Sequence, residues 1–169
     1  MNDKTFSYSN DELSELLLSA VNQGKNLKDI HQVPDEMLNN VYAHAYKFYH
    51  QGRLDDAERF FSFLCMYDLN NPDYFLGLGA VNQLKKNYQK ACDFYSLAYV
   101  LSSTDFTSVF YSGQCQIMMG NLAKAMQCFD LICKRCTDDS LVNKARSYLE
   151  TIRKNIKEND IAESENHDE

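Results

Sequence analysis

The chain has 169 residues, 44% of them hydrophobic, enough for one domain with a sizeable core. A net charge of −7 argues against a general grip on nucleic acid, which needs basic clusters, and suits a soluble protein that carries an apolar surface. No apolar run approaches the roughly 18 residues of a membrane span, and the polar, acidic start MNDKTFSYSNDEL lacks the basic and apolar regions of a secretory signal.

Ser9 or Asn10 can cap a first helix that shows Leu13, Leu16, Leu17, Ala20 and Val21 on one face and stops at Gly24. A short LKDI segment follows. Pro34 then opens a helix whose first turn carries Asp35 and Glu36, where the helix dipole favours acids. That helix is expected to end near His50. Gly52 marks a turn, and a second helix runs from Asp55 to about Asp68. Asn71-Pro72 pairs an N-cap with a proline at the first helical position, so another helix begins there. Leu141, Ala145, Leu149, Ile152 and Ile156 share one face of a final helix, which covers the open end of the structure before it. Beyond Lys157 the tail has six acids and no Lys or Arg, a composition that predicts disorder.

An internal repeat organises the middle of the chain. Ala57, Ala91 and Ala125 stand 34 residues apart, each followed at i+4 by an aromatic: Phe61, Tyr95 and Phe129. Leu54, Tyr88 and Leu122 keep the same register, as do the small residues Ala45, Gly79 and Gly113. A 34-residue period with small residues at fixed offsets is the tetratricopeptide signature, a helix–turn–helix unit that stacks on copies of itself. Two helices that cross closely need a small side chain at the contact, and the aromatic one turn later fills the space beside it. The consensus tryptophan is replaced by Val41, Phe75 and Val109. The expected fold is an all-α tetratricopeptide solenoid. Its parts are an N-terminal arm and helix (1–33), three repeats within 34–139 (about 38–71, 72–105 and 106–139), a capping helix (140–157) and an acidic tail (158–169).

In such a stack the first helix of each repeat lines a concave groove. The groove positions fall on Tyr42, Tyr46 and Tyr49 in repeat 1, on Leu76, Ala80 and Gln83 in repeat 2, with Leu84 beside them, and on Phe110, Gln114 and Ile117 in repeat 3. Spacing of i, i+4, i+7 puts each set on one helical face. Tyrosine suits peptide binding, since it offers apolar area, a hydrogen-bonding tip and little rotamer entropy to lose. The competing reading is that the three tyrosines pack under the N-terminal helix as core. Cys133-Lys134-Arg135-Cys136 is a lone CxxC with no second pair, so the spacing favours a structural role over a metal or redox site. The six cysteines lie in helical repeats and read as reduced and cytosolic. His31, His44, His50 and His167 are scattered, and His44 is expected to pack within the first repeat. No phosphate loop, serine elbow or HExxH is present, so an enzyme is not expected.

Several segments carry more than an architecture: LKDIHQVPDEML, YAHAYKFYHQGRLDDAERFF, LCMYD, NPDY, QLKKNYQKACD and SGQCQ. Together they resemble the class II chaperones of bacterial type III secretion, the SicA/IpgC/SycD group, and are nearest to the SicA type. The likeness covers roughly residues 10–150; Leu69-Asn70 departs from it, where the relatives tend to carry two aromatics. The resemblance implies a non-enzymatic chaperone of the bacterial cytoplasm, without a cofactor. It would hold hydrophobic, pore-forming translocator proteins before export, by an extended client segment laid in the groove. It also implies a homodimer formed through N-terminal segments, and a coactivator role toward an AraC-type regulator. A general tetratricopeptide scaffold that binds another peptide is the alternative.

Overall fold

Residues 26–165 are described by the computed structural model, with side chains through Glu158. Among them, eight α-helices and no strands follow in order: α1 (Leu27–Ile30), α2 (Asp35–His50), α3 (Leu54–Tyr67), α4 (Pro72–Leu84), α5 (Tyr88–Ser102), α6 (Thr107–Met118), α7 (Leu122–Arg135) and α8 (Asp139–Glu165). The helix expected from Ser9 to Gly24 lies outside the described residues. Helices α2/α3, α4/α5 and α6/α7 form three stacked antiparallel pairs, so the fold is a tetratricopeptide-type helical solenoid.

The repeating residues do the work their spacing predicts. Ala45, Ala57, Ala91 and Ala125 are fully buried, and so are the aromatics Phe61, Tyr95 and Phe129. Gly79 and Gly113 are the open faces on which two of those rings rest. A Cβ on Gly113 would lie 2.8 Å from the Phe129 ring, and one on Gly79 would run into Tyr95. Each pair is joined by the same tight turn. The backbone N–H groups of Arg53, Asn87 and Asn121 donate to the carbonyls of Phe48, Asn82 and Gln116 at 2.9, 2.8 and 2.8 Å. The turn needs a left-handed residue, supplied by Gly52, Lys86 and Gly120 with φ of 72°, 62° and 77°. Asn71 caps α4 by accepting the Asp73 N–H at 3.0 Å, with Pro72 at the first helical position.

The last helix closes the stack. Ala145, Leu149 and Ile152 of α8 are buried with Phe129 and Ile132, and Tyr148 stacks on Phe129 at 4.9 Å. One boundary is corrected. The helix does not stop at 157 but continues to Glu165, over the first part of the tail expected to be disordered. Within Asp139–Glu165 the sequence has no glycine or proline to interrupt the helix, and propagation needs only one new hydrogen bond per residue. His44 is a second correction: it is exposed, because Ala45 beside it takes the core-facing position of α2.

Candidate functional site: a concave tyrosine cleft

Helix α2 presents Tyr42, Tyr46 and Tyr49 as a continuous aromatic wall. Ring centroids lie 5.4 Å apart for Tyr42–Tyr46 and 6.1 Å for Tyr46–Tyr49. Helix α4 supplies the floor with Leu76, Gly77 and Ala80, and Gln83 and Leu84 at its far end. Tyr95, Thr107 and Tyr111 form the opposite side. These groups enclose a cleft of about 330 Å³ that is mainly apolar, with Asp73 at its rim. Concave, apolar and carrying a few convergent polar groups, it has the make-up of a binding site.

The three wall tyrosines differ in how deeply they are set. Tyr42 meets Phe61 edge-on at 5.9 Å and Tyr74 at 5.7 Å, so it belongs partly to the core of repeat 1. Tyr49 is also half-buried against that core, while Tyr46 keeps 43% of its surface exposed. Tyr42 and Tyr49 thus pack on the repeat 1 core and also line the cleft, and the N-terminal helix under which the competing reading packs the tyrosines lies outside the described residues. Burial pushes the Tyr42 phenol up to about 12, with Tyr46 and Asp73 adding to the shift. Burial raises Tyr49 too, followed by Tyr111 and Tyr46. Both hydroxyls therefore keep their protons at neutral pH.

Of the residues expected to form the groove, Tyr42, Tyr46, Tyr49, Leu76, Ala80, Gln83 and Leu84 line this cleft. Phe110, Gln114 and Ile117 do not. Phe110 is buried and meets Tyr148 of α8 edge-on at 5.5 Å. Gln114 Nε2 donates to the Tyr148 hydroxyl at 2.9 Å, and Ile117 packs into the C-terminal core. The reason is α8, which lies where a fourth repeat would stack and takes up that face of α6.

Sequence reasoning missed Phe61, Asp73, Gly77, Tyr95, Thr107 and Tyr111 as lining residues. Tyr111 is one residue past the expected position, about 100° round the helix. Tyr95 did leave a signal: it stands where the other repeats carry phenylalanine. Its hydroxyl donates to Gln83 Oε1 at 2.7 Å.

Cys133 lies in the last turn of α7 and Cys136 is its C-cap residue. All six cysteines are free, and burial pushes the Cys65 thiol up to about 12. Among the described residues, no group of three His, Cys, Asp or Glu side chains could hold a metal ion. No described helix is long and apolar enough to cross a membrane.

Helix pairs in a 34-residue register around a concave cleft make this a tetratricopeptide protein, and a tetratricopeptide-repeat family model matches residues 38–71 and 72–105. Chaperone protein SicA of Salmonella typhimurium is 50% identical over 161 residues, which span 95% of this chain and 93% of that protein. The chain belongs to the SicA-type class II chaperones of type III secretion translocators, a family of non-enzymatic proteins. Two solved structures agree. The Yersinia enterocolitica chaperone SycD, in complex with a peptide of the translocator YopD, superposes with a TM-score of 0.68 at 28% identity, over 72% of this chain and 95% of that one. Pseudomonas aeruginosa PcrH, with the chaperone-binding region of PopD, superposes with a TM-score of 0.67 at 28% identity, over 73% and 96%.

Proposed function

We propose that this chaperone holds its translocator clients in the bacterial cytoplasm by seating an extended client segment in the tyrosine cleft. The observation that carries the proposal is the cleft itself: a mainly apolar concavity rimmed by tyrosines, in a chain whose relatives are seen with translocator peptides. Apolar client side chains would sit between the rings of Tyr42, Tyr46, Tyr49 and Tyr111. Each buried anchor stabilises the complex by about 1.5–3 kcal/mol before ordering costs. A few anchors then hold the client reversibly, as a carrier that must release its cargo requires. The covered segment cannot insert, aggregate or pair with another translocator. The SicA-type resemblance extends the proposal to coactivation of an AraC-type regulator once the clients have left.

Tyr46 is the residue for the test because it is exposed and contributes least to the core. Calorimetric titration of a translocator N-terminal fragment into Tyr46→Ala should show affinity reduced by about 1–2 kcal/mol, roughly 5–30-fold, with circular dichroism unchanged. Unchanged affinity in a folded variant would remove the cleft as the client site. The double change Tyr42→Ala with Tyr49→Ala should weaken binding further but also lower thermal stability, since both rings pack on the repeat 1 core.

A further inference from the structure

An extended segment laid in a cleft must find partners there for its own N–H and C=O groups. Gln83 is a natural partner, since a free glutamine amide can both donate and accept. In this cleft it is not free. The Tyr95 hydroxyl donates to Gln83 Oε1 at 2.7 Å. Tyr95 has little choice of geometry. Its ring is buried, lies on the bare face of Gly79 and stacks against Tyr111 at 5.7 Å and 30°. Burial, and then Cys115 nearby, hold its phenol well above the ordinary tyrosine range, so the proton it donates stays in place. The Tyr95 hydroxyl thus takes one lone pair of the Gln83 carbonyl and orients its planar amide. Its Nε2, which has no partner among the described residues, is left for the cleft. Gln114, the other glutamine expected to face a client, has its Nε2 already committed to Tyr148.

We infer that Gln83 serves this cleft as a hydrogen-bond donor, reading a main-chain carbonyl of the bound segment, and that Tyr95 is the positioning residue that sets the direction of its amide. The inference rests on the cleft being the client site. It adds a polarity: at the Gln83 end the client must offer an acceptor. A segment that offers only an N–H there leaves the Gln83 amide N–H unpaired and binds less well.

The test uses the same translocator fragment, titrated into the full chain and four variants, each checked for native circular dichroism. Gln83→Met keeps the length but neither donates nor accepts strongly. Gln83→Glu still accepts from Tyr95 but can only turn a lone pair toward a client carbonyl at pH 7. The expected result is that Gln83→Met weakens binding and that Gln83→Glu weakens it more, by at least about tenfold relative to wild type. Tyr95→Phe, which keeps the ring at the cleft wall and loses only the donor to Gln83, should weaken binding about 3–10-fold. If Gln83→Glu binds as well as wild type, or better than Gln83→Met, the donor assignment is overturned. If Tyr95→Phe binds like wild type, the positioning role is overturned. Tyr46→Ala separates these failures from a failure of the cleft. Weakening there with no response at Gln83 overturns the inference alone, while no response at Tyr46 in a folded variant overturns the cleft reading and the inference with it.

Discussion

Glycine in the middle of a helix costs roughly 1 kcal/mol relative to alanine, so Gly79 in α4 needs a tertiary reason. The reason is the Tyr95 ring, which occupies the space a Cβ would take. Two effects oppose each other in Gly79→Ala. Helix propensity favours alanine by about 1 kcal/mol, whereas forcing a methyl into a ring held on its other side by Tyr111 costs about 1–3 kcal/mol. The ring cannot retreat easily, so overpacking wins. Urea unfolding of Gly79→Ala should give a midpoint below that of wild type; a higher midpoint would mean that propensity decides. The 34-residue register marks Gly79 and Gly113 as close-contact positions from the sequence, because small residues recur there opposite an aromatic. The hydrogen bond from Tyr95 to Gln83 is not readable in that way, since it depends on how far two helices of different direction are offset.

At the scale of elements, the repeats are joined by polar clasps as well as by packing. Glu58 of α3 accepts from Lys85 and Lys90 at 2.7 Å each, and Lys85 also reaches Asp55 at 2.6 Å. These bonds tie repeat 1 to the turn of repeat 2. The Lys85 and Lys90 ammonium groups hold the Glu58 carboxyl down from 4.5 to about 2. A carboxylate with a depressed folded pKa contributes stability above its unfolded pKa and loses it as pH falls toward the folded one. The contribution is therefore complete at neutral pH and disappears between about pH 4.5 and 2. After discount for the solvent around Lys90 it amounts to about 1–2 kcal/mol. Glu58→Gln should lower the unfolding free energy at pH 7 by that amount and flatten its decline below pH 4.5. Parallel curves for the two proteins in acid would show that the clasp contributes nothing. A second clasp joins two of the separated segments that carry the family likeness. The buried Asp68 that ends LCMYD accepts from the Asn26 side chain at 2.8 Å and from Lys28 of LKDI at 2.7 Å. The Leu69 N–H donates back to Asn26 Oδ1 at 3.2 Å.

For the whole molecule, the question is how a short solenoid finishes its two ends. The C-terminal end is covered by α8, against which Phe110 and Ile117 pack and to which Gln114 hydrogen-bonds, and the tyrosine cleft is lined from the first two repeats and the start of the third. At the N-terminal end the chain enters α1 through Asn26, and the residues before it include Leu13, Leu16, Leu17 and Val21 on one predicted helical face. We propose that this face contributes to a homodimer. Light scattering should give a dimer mass for the full chain and a monomer mass for a chain lacking residues 1–24. A dimer mass for both would place the contact elsewhere.

The sequence by itself determined the solenoid, its helix–turn register and the tyrosine wall. All of these follow from local periodicity: 34 residues between equivalent small side chains, and about 3.6 residues per turn to set a face. It also marked the start of α4, because the Asn71 cap and Pro72 act on their immediate neighbours. Tertiary structure decided what lies at the ends of that periodicity. Phe110 became core because α8, far along the chain, supplied Tyr148 against it. Tyr111, one residue past the position the register picks, lines the cleft and stacks on Tyr95 of the preceding repeat. Tyr42 became half core because its ring reaches Phe61 and Tyr74 of the next two helices. A repeat read from sequence is an average over neighbours, and the packing of a terminal repeat departs from it because one neighbour is replaced by a helix of another kind.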